Sequence, residues 1–155
     1  MSKLADLQNS IIARFTAVDP NVPAPVPVNG QIQWITENIG DLANIIARAT
    51  GKLGIIGIVM TPGGKLMQKE QGPNIAVSSL VEIQIQENVT INRGASGTQV
   101  PALDLVEFCM KRLHWFSRDH QKIRRIVLDE VPFLLVAEVP LLVYNVRFQA
   151  PISIQ

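Results

Sequence analysis

From Leu80 to Arg93 the chain reads LVEIQIQENVTINR, and this alternation constrains the fold more than any other feature. A period of two places Val81, Ile83, Ile85, Val89 and Ile91 on one face of a strand, with Glu82, Gln84, Gln86, Asn88 and Thr90 on the other. One face therefore belongs to a core, and the other is wet or covered by another chain. The spacing predicts a strand over about residues 75–91, opened by Pro73 and Asn74. Glu87 interrupts the apolar face. Either a bulge shifts the pleat there, or the carboxylate is presented to Arg93 or to the basic turn of another subunit.

The loop GASGT follows and reads as a flexible connection. Beyond it, TQVPALDLVEFCMKRLHWF has a helical period, with Thr98 as its cap, Pro101 in its first turn, and Val106, Cys109, Leu113 and Phe116 facing inward. At the other end of the chain, Leu4, Leu7, Ile11, Ile12 and Phe15 predict an amphipathic helix over 3–18 behind Ser2. Pro20, Pro23, Pro25 and Pro27 then hold residues 20–29 in a stiff, extended connector. Ile39, Leu42, Ile45 and Ile46 predict a second helix ending at Gly51.

LGIIGIVM reads as a buried strand, and TPGGK as the turn that sends it back through Leu66 and Met67. IRRIVL, VPFLLVAE and PLLVYNVRFQAPI read as three further strands, with Pro132 and Pro140 at their starts. Strands largely segregated from helices predict an α+β fold, an antiparallel or mixed sheet packed against two to three helices. At 155 residues the chain suits a single domain over 1–155.

Charged residues make up 17% of the chain, against about 25% in an average globular protein. A surface so poor in charge is poorly solvated if all of it meets water, so self-association is the first expectation. A net charge of +1 supplies no global field for nucleic acid or membrane. The longest apolar runs, 53–60 and 131–137, are far shorter than the roughly 18 residues of a membrane-spanning segment. The start, MSKLADLQNSIIARF, lacks the apolar segment of a signal peptide, and the single Cys109 suits a reducing compartment.

No catalytic constellation emerges. GIVMTPGGK places Pro62 and Leu66 where a phosphate loop needs glycine and a hydroxyl residue. His114 and His120 are not at the spacing that puts two ligands on one helical face, and Cys109 lies on a core face without a partnering base. The expectation is a protein with no cofactor, no metal and no enzymatic activity. The local charge feature is KRLHWFSRDHQKIRR, where Arg112, Arg118, Lys122, Arg124 and Arg125 form a basic turn able to meet phosphate or an acidic partner. With Gln84, Gln86, Glu87 and Arg93 on the long strand, these are the candidate contact residues.

An N-terminal helix, GIVMTPGGK, VEIQIQENVTINRG leading to a helix ending KRLHWF, and a terminal LLVYNVRFQAPISI together form a pattern over residues 3–155. It resembles tailed-bacteriophage tail-terminator and tail-completion (minor tail) proteins. The resemblance implies a small α+β subunit that forms a ring, commonly a hexamer, on the end of a tail tube. Such a ring stops tube growth, offers a docking surface to head-completion proteins and lets DNA pass. It would be assembled in the host cytoplasm and reside in the virion tail. A head–tail connector or baseplate subunit is the related alternative, and a nucleic-acid-contacting module using residues 111–125 is the distinct one.

Overall fold

A computed structural model describes residues 2–69, 75–117, 125–138 and 141–154. Helix α1 (Lys3–Thr16) starts where Ser2 Oγ accepts the Ala5 N–H at 3.1 Å, and it buries Leu7, Ile11 and Phe15. It stops at Thr16, short of the expected residue 18, because Ala17 is already extended. The proline-rich connector then crosses the surface. Val28 N–H donates to the Thr98 carbonyl at 2.8 Å, and Asn29 Nδ2 donates to the carbonyls of Ala95 and Gly97, also at 2.8 Å. These bonds pin the GASGT loop, which the sequence had suggested was flexible.

Among the described residues the sheet has five strands in the order β1-β2-β3-β5-β4: β1 (Gln33–Thr36), β2 (Ile55–Lys69), β3 (Ile75–Asn88), β4 (Val127–Ala137) and β5 (Leu141–Ile154). Only β1 and β2 are parallel, so the sheet is mixed and the α+β expectation holds. Strand β1 escaped the sequence reading because four residues are too few to show a period. Helix α2 (Leu42–Lys52) makes the crossover that a parallel pair requires. It runs through Gly51, and Gly54 at φ 86° takes the left-handed position after it instead.

TPGG is not a turn. Pro62 and Gly63 lie inside β2, where Met60 pairs with Glu82 and Gly63 with Leu80, so β2 carries one extra residue. A bulge tolerates a proline that has no N–H for the ladder. Strand β3 ends at Asn88, earlier than expected, and Asn88 Oδ1 caps the single turn α3 (Val89–Asn92) by accepting the Ile91 N–H at 3.3 Å. Helix α4 (Ala102–Leu113) has Pro101 at its cap position, and Thr98 is buried ahead of it rather than capping it. Phe116 lies beyond its end. The segments read as IRRIVL and VPFLLVAE merge into one strand, β4. Pro73, Asn74, Arg118, Lys122, Arg124 and Pro140 lie outside the described residues.

Helices α1 and α4 cover one face of the sheet. There Val81, Ile83, Ile85, Val146 and Phe148 pack with Leu7, Ile11, Leu105, Cys109 and Leu113 in the main core. Helix α2 covers the other face only at the β1–β2 end, over Ile35, Ile56 and Ile58. Trp34 stacks at 4.5 Å from Phe15, and its ring lies over Gly57, where any Cβ would overlap it. Gly57→Ala is therefore expected to cost about 1–3 kcal/mol by overpacking. A urea unfolding midpoint indistinguishable from wild type would show that the Trp34 ring moves aside freely.

Candidate functional site

The sheet has two edges, β1 and β4, and they differ in character. Among the described residues β4 is an open edge of eleven residues, on which Val131, Phe133, Leu135 and Val136 are each 37–52% exposed. Long apolar edges are normally shielded with charge or covered, because their unpaired N–H and C=O groups template pairing with another chain. Here acidic residues mark only the ends, with Asp129 and Glu130 near the start and Glu138 just past the last residue.

On the α2 side of the sheet, beyond the part that α2 covers, β3 and β5 carry a polar ladder. Arg147 Nε donates to Glu82 Oε2 at 3.1 Å, and Asn145 Nδ2 donates to Glu82 Oε1 at 2.8 Å. Gln86 Nε2 donates to Gln84 Oε1 at 2.7 Å, and Gln84 Nε2 to Asn145 Oδ1 at 3.3 Å. Gln84 and Gln86 thus stand half-buried on the open face, as the alternation requires, but they are already engaged with each other.

Two of the proposed contact residues are internal. Glu87 keeps the β3 register without a bulge, opposite Ile55 and Leu142, and is fully buried. Its Oε1 accepts from Asn92 Nδ2 at 2.8 Å and from Arg93 Nε at 3.0 Å, while Oε2 accepts the Ala102 N–H at 3.0 Å. The carboxylate is thereby a brace between the end of β3 and the first turn of α4. Arg93 is half-exposed, and its hydrogen bond and charge pairing with Glu87 raise its pKa further. Asn92 completes the brace by donating to the Val100 carbonyl at 2.7 Å and accepting from Thr98 Oγ1. Nothing in the alternation announces Asn92; its polar side chain beside Glu87 becomes meaningful only once the strand ends at Asn88.

Arg112 is likewise 1% exposed. It stands on the inner side of α4, so that its guanidinium donates to the carbonyls of Arg14, Ala17 and Val22 and pairs with Asp19 at 2.8 Å. A group enclosed in this way cannot meet another subunit. Of the described basic-turn residues Arg125 remains a candidate, resting 5.5 Å over the half-exposed ring of Trp115. Trp115 holds φ 67° because its N–H donates to the Ile126 carbonyl at 2.8 Å.

Cys109 and His114 are tied into the fold, while His120 lies outside the described residues. Cys109 is enclosed, and burial pushes its thiol pKa well up, so little reactive thiolate forms at neutral pH. His114 Nδ1 accepts the Leu128 N–H at 3.2 Å. Among the described residues no three His, Cys, Asp or Glu side chains cluster as metal ligands, and no helix is long and apolar enough to cross a membrane. No protein-family model matches the chain, and no curated protein matches it.

Proposed function

We propose that the chain is a structural subunit that self-associates into a ring, in the manner of the phage tail terminators its sequence pattern resembles, and that it carries out no chemistry. The observation that supports this reading is the apolar open edge of β4. An edge of that kind on a chain with 17% charged residues is best suited to another protein surface. A single patch complementing a different patch on the next copy generates a closed ring when the rotation closes. In this role the ring caps a tail tube and receives the head-completion protein.

Arg125 stacked on exposed Trp115 favours a second reading, contact with nucleic acid through stacking and charge. Light scattering after size exclusion, negative-stain imaging and co-sedimentation with purified tail tubes separate the two. The ring reading expects closed multimers that bind tube ends. A chain that stays monomeric, ignores tubes and binds single-stranded DNA with strong salt dependence would replace it with the second.

A further inference from the structure

We infer that β4 of one copy docks on the β1 edge of the next, with the Glu138 end of β4 meeting the basic rim of α2. This contact rests on the ring reading and supplies its missing half, the acceptor surface.

The sheet register sets the two edges level. Gln33 pairs with Ile56, Ile56 with Gln86, Gln86 with Val143, and Val143 with Ala137. By the same steps Trp34 is level with Leu135, and Thr36 with Phe133. A copy displaced sideways in the plane of the sheet therefore brings β1 beside residues 133–137 with no slip along the strand. The strand directions also agree. β1 runs parallel to β2, three antiparallel steps then lead to β4, and so β4 and β1 point in opposite directions. Their junction would be antiparallel, the stronger ladder. Pro132 and the register breaks either side of Phe133–Leu135 confine regular pairing to a short stretch, which suits a four-residue partner.

The side chains complement one another too. An apolar cleft of about 240 Å³ lies on the α1–α4 side of β1, bounded by Phe15, Ile32, Trp34 and Phe108. Phe133 and Leu135, paired with the inward residues Val146 and Tyr144, project on that same side of the sheet. A second cleft of about 260 Å³ beside β1 is bounded by Gln33, Ile45, Ala49 and Leu53 and rimmed by Arg48 and Lys52. Residues 42–52 contain these two cations and no acid, whereas residues 127–138 contain Asp129, Glu130 and Glu138 and no cation. Glu138, one residue past Ala137, falls next to the level of Gln33, where that basic rim stands. Complementary rims of this kind set orientation and register, while like charges across the same junction are repulsive.

The test measures full-chain mass by light scattering and sedimentation velocity for wild type, Arg48→Glu/Lys52→Glu, Glu138→Lys, and an equimolar mixture of the two variants. All three positions are exposed, and circular dichroism melts verify folding. Each variant alone should raise the apparent dissociation constant by about a hundredfold or more. The mixture should recover wild-type mass, since alternating copies restore opposite charges at every junction. Variants that keep wild-type mass, or a mixture that stays dissociated, would overturn this pairing of edges while leaving a ring built through other surfaces. A wild type that is monomeric at every concentration overturns the edge contact, and tube binding by that monomer would still leave the tail role standing.

Discussion

Arg112→Met is expected to lower the unfolding free energy by about 3–5 kcal/mol, the usual scale for removing one partner of a buried ion pair. The guanidinium gathers the carbonyls at the end of α1 and in the connector, Arg14, Ala17 and Val22, while holding the Asp19 carboxylate. Methionine fills much of the volume and supplies no donor. Three carbonyls then lose that donor, and Asp19 is left with Arg14 at 3.2 Å and the Asn21 N–H at 2.9 Å. Burial, and secondarily the charge of Arg14, lower the Arg112 pKa, yet a guanidinium starts so high that it stays charged at neutral pH. Arg112→Lys keeps the charge and loses the planar fork, so it should fall between wild type and methionine. Urea denaturation decides the matter: a methionine variant within about 1 kcal/mol of wild type would mean that the clasp is a by-product of packing.

Glu87→Ala should be comparably severe, at about 3–5 kcal/mol, but for a different reason. Arg93 is half-exposed and can turn back to water. Asn92 and the Ala102 N–H cannot, because both donors are enclosed. The loss therefore falls on the start of α4, where the carboxylate acts as a cap borrowed from a neighbouring strand. Hydrogen exchange should show the first turn of α4 opening more readily than its last turn. Uniform loss of protection throughout the helix would instead indicate global destabilisation without a local brace. Glu87→Gln retains one acceptor oxygen, which can serve either the Asn92 and Arg93 donors or the Ala102 N–H, and should lose less.

What the chain disclosed in advance follows from how each residue's role is encoded. The alternation through β3 and the helical stripe of α4 are periodic, and they hold as far as Asn88 and Leu113, while Val89 and Ile91 fall in α3 and Phe116 lies past the end of α4. Pro62 with two glycines was ambiguous, because the same chemistry suits a turn and a bulge; pairing with Leu80 and Glu82 selects the bulge. Glu87 and Arg112 looked like surface charges because sequence reports charge and not enclosure. Arg112 finds its partners far back in the chain, at Asp19 and Val22, whereas Glu87 meets the nearby Arg93 that the sequence offered and also Asn92 and the Ala102 N–H. Gln8 shows the same limit. A glutamine on the apolar side of α1 is buried because Glu37, Asn38 and Thr61 engage both ends of its amide. The β1 edge had no sequence signal at all, since its four residues acquire meaning only by lying beside β2.

The order of strands has a consequence for biosynthesis. β3, at the centre of the sheet, completes one side as soon as β2 and β3 have both been made, but its other side must wait for β5. α3, α4 and β4 are all translated in that interval. A nascent chain therefore emerges from the ribosome with its central strand half unpaired and its most apolar residues, Val81, Ile83 and Ile85, without their eventual neighbours Phe148, Val146 and Tyr144. Pairing across so long a separation is slow to form and vulnerable to aggregation while it is pending. Protection during synthesis, by a chaperone or by slow translation of the β4 segment, would matter more to the yield of this protein than the stability of the finished sheet.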